Sequence, residues 1–388
     1  MTATDRANGA PRLTQVESLA EIAPGEWDAL AGDQPFVSHA FLSLLESTGC
    51  VGRAAGWRPA HLLMREGGTL VGALPAYLKN HSWGEFVFDF GWAQAYQRAG
   101  LAYYPKLVVA VPFTPATGPR LLLRPDASAT QRAALVAGVE DHVRRAGLSS
   151  AHALFVDDAD RRAFADAGWL LRRDCQFHWS NRGYRTYDDY LATFTAEKRK
   201  KAKRERRRCE EAGITFRTLH GDELDAATID DCYALHRDTF VRHGHDPYLT
   251  RAFFRAAAPA FGRRLMVKLA VHEGHNVAAA IFFRSGTTLY GRYWGAREDF
   301  HSLHFEACYH QGIDYCIEQQ LQRFEPGTQG EHKVSRGFEP TLTWSAHHIA
   351  DPRFRAAIDD FLEREAPAVT AYAEEIDRHT PFRRDAPT

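Results

Sequence analysis

"RLMVKLAVHEGHNVAAAIFFRSGTTLYGRYWGA", residues 264–296, reads as three strands in succession. Each run is rich in β-branched, aromatic and other apolar side chains. Glu273-Gly274 and Ser285-Gly286 interrupt the runs where tight turns belong. Strands joined this closely pair antiparallel. Working outward, "TIDDCYALHRDTFVRHG" (228–244) and "PYLTRAFFRAAAPAFG" (247–262) have helical spacing, as does "LHFEACYHQGIDYCIEQQL" (303–321). "RFEPGTQGEHKVSRGF" (323–338) reads as a short strand and a loop. A long basic helix over 187–212 leads into a strand at "ITFRTL" (214–219).

The first half repeats that plan. "LTQVESL" (13–19) is a strand, "PGEWDALA" (24–31) a helix with Pro24 in its first turn, and "SHAFLSLLESTG" (38–49) a helix capped by Ser38 and ended by Gly49. "HLLMREGGTLVGALPAYLK" (61–79) reads as a strand, a Gly-Gly turn and a second strand. "RLLLRP" (120–125) is another short strand, and "TQRAALVAGVEDHVRRAGL" (130–148) an amphipathic helix with Leu135, Val139 and Val143 on one stripe. Strand, helix and strand follow in 149–156, 158–168 and 169–179. Two α+β halves meeting near residue 180 thus share an order of helices, antiparallel hairpin, helix and strand, without a residue-level repeat. The reading predicts a loose tail over 1–11 and domains over 12–180 and 181–388.

Composition excludes several classes. At 388 residues the chain is too long to be comfortable as one domain, and its formal net charge of -1 provides no global field for nucleic acid or membrane. The 6 Cys contain no C-x-x-C pair, which argues against a zinc ribbon or a disulfide scaffold and fits a reducing compartment. The polar start "MTATDRANGAPRLTQ" has no apolar signal core, and no stretch reaches the ~20 apolar residues of a membrane span. A cytoplasmic protein is expected. Phosphate-loop, nucleophile-elbow, H-E-x-x-H and strand-anchored G-x-G-x-x-G motifs are absent. In "HSLHFEACYH" (301–310) His304 and Glu306 point apart on a helix, and His301 could share a face with His304 but no third ligand is evident, so no metal is expected. "QRAGLA" (97–102) fits a loose acetyl-CoA loop pattern but precedes "YYPKL" and not a helix.

Three stretches carry chemistry. In "FDFGWAQAYQRAGLAYYPKLVVAVPFTPATGPRL" (88–121), aromatic and polar groups such as Tyr96, Lys106, Thr114 and Arg120 lie in a segment without clear period. It is either functional or a loop packed by its own aromatics. "YGRYWGA" (290–296) with "GTQGEHKVSRGFEP" (327–340) sets Arg292, Tyr293 and a Gly-punctuated loop bearing Gln329, Glu331, His332, Lys333 and Arg336 near one another in the second half; an exposed charged loop is the alternative. Finally, 9 of the 11 residues from Lys198 to Arg208 are Lys or Arg. On a helix, Leu191, Phe194, Ala202, Cys209 and Ala212 make a weak apolar stripe shared with Lys198 and Glu205. The remainder is a solvated face or a phosphate-facing wall.

"YLKNHSWGEFVFDFGWAQAYQRAGLAYYPKLVVAVPFTPATGPRLL", "LYGRYWG", "LHFEACYHQGIDYCIE" and "FEPGTQGEHKVSRGFEP" resemble the FemAB-like, GNAT-related family of N-acyltransferases, known as peptidoglycan biosynthesis or recognition proteins, from Phe36 to Ile349. The resemblance implies an α/β (α+β) fold of tandem GNAT-like domains, with mixed, mostly antiparallel sheets flanked by helices. It also implies transfer of an acyl group to an amine of a small peptide, amino acid or cell-wall precursor. Fem-type enzymes take an aminoacyl group from charged tRNA and ordinary GNAT enzymes use acyl-CoA, so acyl-CoA or aminoacyl-tRNA is the expected co-substrate, with no tightly bound cofactor. Fem proteins carry a comparable basic segment before the second domain. The coiled-coil arm that many of them use for tRNA has no counterpart here.

Amine attack on a thioester or ester needs a neutral amine and a stabilised oxyanion, and no covalent enzyme intermediate. The expected catalytic residues are Glu331, His332, Lys333 and Tyr293, with Glu331 or His332 as the proton acceptor. Lys333 and Arg336 are expected to bind an acidic group. Arg292 and Tyr293 would line the cleft with Tyr96 and Lys106, and Thr114, Arg120, His304, Glu306 and Gln329 are further substrate contacts. Lys198, Lys201, Arg204 and Arg207 are expected to meet donor phosphates. The alternative is a catalytically inactive GNAT-fold protein that binds a cell-wall peptide. An RNA-binding module would rest on the basic helix alone, which lacks interleaved aromatics.

Overall fold

A computed structural model describes residues 13–383 apart from His243, Asp299 and Gln329. The tail expected over 1–11 and the expected contact Gln329 lie outside the described residues. The chain separates into two compact units, one ending at Arg173 but regaining Thr343–Pro367, the other holding Asp174–Leu342 and continuing from Ala368. The chain is therefore not cut once near residue 180, because residues 343–367 return to the first unit.

In the first unit β1 (Thr14–Val16) precedes α1 (Pro24–Ala31) and α2 (His39–Ser47). Ser38 caps α2 by accepting from the Phe41 N–H at 3.3 Å. After β2 (Trp57–Pro59), β3 (His61–Glu66) and β4 (Thr69–Leu74) form the expected hairpin, turning on Gly67 and Gly68 at φ 56° and 86°. The second strand expected there does not continue to Lys79. Pro75 has no N–H for a ladder and divides it. Beyond it, β5 (Ala76–Lys79) pairs with β2 instead. The apparently aperiodic stretch 88–121 holds α3 (Phe90–Arg98) and β6 (Lys106–Val109). "QRAGLA" thus lies at the end of a helix, where carbonyls and not N–H groups are left over. With β7 (Leu122–Leu123), α4 (Ala129–Ala146) and β8 (Ser150–Leu154), the chain crosses over so that β6 and β8 run parallel. After α5 (Asp158–Asp166), residues 345–349 come back to pair antiparallel with β8.

The second unit takes the end of β9 (Leu170–Ser180) and then α6 (Tyr187–Ala192) and α7 (Ala196–Glu211). The single helix expected over 187–212 is broken at 193–195. There Phe194 is wholly buried against Tyr190 and Phe382, Thr193 turns its hydroxyl to the Tyr190 carbonyl, and the Thr195 N–H bonds Pro381. The four-strand antiparallel run β10 (Thr215–His220), β11 (Leu265–His272), β12 (His275–Arg284) and β13 (Thr288–Ala296) contains the meander that opened the sequence reading. Helices α8 (Ala226–Arg242) and α9 (Arg251–Phe261) come between β10 and β11. A β-bulge opposite Ile281/Phe282 makes Arg292 the extra residue of β13.

The helix expected over 303–321 is α10 (Leu303–Phe305), a π-helical turn (Glu306–His310) and α11 (Gln311–Glu318). It returns the chain to β14 (Arg323–Glu325), which pairs parallel to β13 only at Thr288–Tyr290 and antiparallel to β9 on its other edge. Pro326 ends β14 while β13 runs on to Ala296, so the two strands part. A 3-10 turn (Glu331–Arg336), β15 (Glu339–Ile349) and α12 (Pro352–Asp377) complete the chain.

Candidate active site

Where β13 and β14 part, a pocket of about 100 Å³ opens, lined by Gly291–Trp294, Pro326 and Gly327 from the strand side and by His304, Cys308 and Tyr309 from α10 and the π turn. The turn after β14 places Lys333 behind the Gly327 wall of this pocket, without lining it. The Lys333 ammonium is 2% exposed and donates to the Gly327 carbonyl at 2.6 Å. Burial pulls it down to about 7, with only Cys308 acting in the opposite direction, so the side chain holds an amine that is readily neutral near physiological pH. His304 stacks edge-on to Trp294, and burial, helped by His332, Arg336 and Lys333, lowers it to about 4. The Tyr309 hydroxyl lies 2.8 Å from His332 Nε2. Burial keeps that phenol protonated, while burial, Lys333 and Arg336 lower His332.

Beside it lies a groove of about 310 Å³ with Lys201, Arg204, Glu205 and Arg208 of α7 on one wall and His301, Phe305, His332, Ser335 and Arg336 on the other. Lys201 and Arg204 are exposed; Arg208 reaches His301 Nδ1 at 3.2 Å. Glu205 is buried at the bottom of this basic surface. Both its oxygens accept from Arg336, at 2.7 and 2.9 Å, and His310 Nε2 is 3.1 Å away. The Arg336 guanidinium carbon also lies over Phe305, 3.5 Å from the ring centre. Next on the helix, Arg206 pairs with Glu306 and Asp314 at 3.3 and 2.6 Å.

These placements sort the expected site residues. His304 and Arg292 line the pocket, and His332, Arg336, Lys201 and Arg204 line the groove; Lys333 lines neither and meets the pocket only through the Gly327 carbonyl. Arg336 already spends its fork on Glu205, which leaves it little to offer an acidic substrate. Glu331 is exposed and accepts from Tyr372 at 2.8 Å. The Tyr293 ring packs against His236 and Phe254 of α8 and α9, on the face of β13 opposite Trp294. Glu306 is held by Arg206 and by Gln311. Arg207 pairs along the helix with Glu211 at 3.4 Å, and Lys198 lines neither cavity.

Four expected residues belong to the first unit. Tyr96 stacks on Phe354 with ring centres 3.8 Å apart. Lys106 is wholly buried, donating to Ser82 and Glu85 at 2.9 Å each and to Asp89. Thr114 bonds the Pro112 carbonyl, and Arg120 donates to the carbonyls of Leu154, Ala116 and Pro119. Among the described residues no group of three His, Cys, Asp or Glu side chains is placed to hold a metal ion, and no helix is long and apolar enough to cross a membrane. The sequence reading did not single out Tyr309, Phe305 or Arg208, and it weighed His301 only as a partner of His304 for a metal. Glu205 was placed on the stripe of Ala202 and Cys209 but given no role, although an acid on a buried face was a usable signal.

A family profile described as FemAB-like, peptidoglycan biosynthesis/recognition, matches residues 18–384. The chain belongs to the FemAB-like family. No curated protein matches it. This FemAB-like chain is similar in structure to the C-terminal domain of a putative lysylphosphatidylglycerol synthetase from Agrobacterium fabrum, with TM-score 0.53 at 10% identity over 89% of this chain and 97% of that one. It is also similar to FemX, with TM-score 0.53 at 11% identity over 87% and 98%. A tandem GNAT protein from the clavulanic acid biosynthesis pathway aligns over 88% and 99%, with TM-score 0.44 and 15% identity. At 10% and 11% identity, the likeness to the synthetase domain and to FemX shows a shared fold alone. The α/β class with mixed, mostly antiparallel sheets flanked by helices is the one observed, in two units that each contain a parallel pair joined by a helical crossover.

Proposed function

We propose that this FemAB-like protein is an N-acyltransferase that moves an acyl or aminoacyl group from a phosphate-bearing donor to the amine of a cell-wall peptide or related small molecule. The observation that supports it best is Lys333, a buried amine lowered to about 7 that donates to Gly327 in the wall of the pocket between the parting strands and follows His332 of the cation-lined groove. The acceptor amine attacks the acyl carbon, forming a C–N bond. Its proton passes to neutral Lys333 and from there to the departing thiolate or alkoxide as the C–S or C–O bond breaks. Lys333 replaces Glu331 as the proton acceptor, and Tyr309 with His332 offers hydrogen bonds beside it. A cysteine nucleophile fits poorly, because burial raises the thiols of Cys308 and Cys316.

Lys201, Arg204 and Arg208 would meet donor phosphates, which acyl-CoA and aminoacyl-tRNA both carry. Either donor suits a cytoplasmic enzyme. The test is calorimetric titration with acyl-CoA and with aminoacyl-tRNA, followed by transfer to a muropeptide amine. Binding of a muropeptide without binding or turnover of either donor would replace the enzyme with the non-catalytic binding protein.

A further inference from the structure

Glu205 is the lone acid between Lys198 and Arg208. It falls three residues after Ala202 and four before Cys209, on the buried face of α7. A carboxylate there is costly unless every lone pair is used, and this one is used twice over. Toward the 3-10 turn it takes both arms of the Arg336 fork, and the remaining arm of that guanidinium donates to the backbone carbonyl of His332. Toward the π turn it meets His310 Nε2, whose Nδ1 is in turn 2.6 Å from the Tyr187 hydroxyl. His310 immediately follows Tyr309 in the chain. One carboxylate therefore ties down the two segments whose side chains meet in the Tyr309–His332 bond, and the residue after His332 is Lys333.

We propose that Glu205 is a positioning residue: through Arg336 and His310 it holds the turn bearing His332 and Lys333 against the π turn bearing Tyr309. The proposal rests on the reading of Lys333 as the proton acceptor, and it explains why an otherwise basic helix keeps one acid. Charge alone would favour a cation at 205 on a phosphate-facing wall. A bidentate carboxylate instead orients Arg336 and neutralises it, so that its stacking on Phe305 shapes the groove.

The experiment compares Glu205→Gln, nearly isosteric but unable to hold a charged fork, with the parent chain in three readouts. The imidazole ¹⁵N shifts of His332, assigned with His332→Gln, report its bond to Tyr309 and need no activity. Transfer kinetics report alignment, and thermal melting reports folding. Positioning predicts that the hydrogen-bonded Nε2 signature is lost and kcat falls about 10- to 100-fold. The KM for donor stays within a few-fold and Glu205→Asp recovers part of the rate. Unchanged ¹⁵N shifts, or a lowered melting temperature with shifts and kcat intact, would overturn it in favour of a structural ion pair. If the parent chain transfers nothing, the functional reading fails while the ¹⁵N arm still decides the positioning. Should Glu205→Gln not fold, Arg336→Lys keeps the charge, loses the fork and is read in the same way.

Discussion

On the proposed mechanism, Lys333 is where chemistry and stability meet. In the unfolded chain its ammonium persists to about pH 10.5, whereas burial in the folded chain pulls it down to about 7, so folding expels a proton between those values. The unfolded state binds more protons there, and stability rises with pH across that window. Lys333→Met removes the burial cost. It should raise the melting temperature relative to the parent at pH 6, by an advantage that shrinks steadily toward pH 10. An advantage independent of pH would mean that the amine is not desolvated. The same substitution should lower transfer about 10²- to 10⁴-fold, and in the parent the rate should rise with pH through about 7 as the amine becomes neutral. His332, Lys333 and Arg336 were legible because Gly327, Gly330 and Gly337 punctuate a short charged loop. Their partners were not, since Glu205 and Tyr309 reach them from elements distant in sequence.

At the scale of elements, turn chemistry and caps were read most faithfully. Ser38 before α2, the Gly-Gly hairpin and the three strands of 264–296 follow from local rules that tertiary context did not override. Misreadings arose where a distant partner decides. Phe194 breaks the basic helix because an aromatic cluster claims its side chain, and α3 and β6 hide in a stretch whose aromatics serve packing. A prediction follows for the contact of α8 with β13. A Cβ on Gly295 would fall 2.1 Å from the Leu235 backbone, which cannot yield as a side chain could. Gly295→Ala should therefore cost about 1–3 kcal/mol in urea denaturation, and a loss below a few tenths would show that the helix can slide. On α7, Lys201→Ala with Arg204→Ala should leave stability within about 0.5 kcal/mol, since both side chains are exposed. Donor affinity should nonetheless fall and become less salt-dependent. Equal salt slopes in variant and parent would return these cations to a solvated face.

The whole chain does not consist of two halves laid end to end. The first unit is finished by a strand from the far end of the sequence, whereas the second begins inside β9, before residue 180. The end of β9 pairs with β14, and residues 345–349 pair with β8, from Ser345 opposite Leu154 to Ile349 opposite Ser150. Residues 345–349 are not recognisable from their own pattern as a late arrival, nor is β9 as a strand shared by both units, which is why a cut near residue 180 looked natural. The first unit depends on that arrival for its core. Ala346 enters the cluster built on Leu107, Val109 and Ala153, while Ile349, Ile358 and Leu362 pack with Trp92, Tyr96 and Tyr103. Three large apolar side chains at roughly 1.5–3 kcal/mol each, with a bared β8 edge besides, take most of a domain's usual margin of about 5–15 kcal/mol. Residues 13–173 alone should therefore bind a hydrophobic dye and melt without a cooperative transition. The same residues joined through a flexible linker to 343–367 should melt cooperatively, with β8 amides protected from exchange. A cooperative melt of 13–173 with protected β8 amides would show instead that the first half folds without the returning segment.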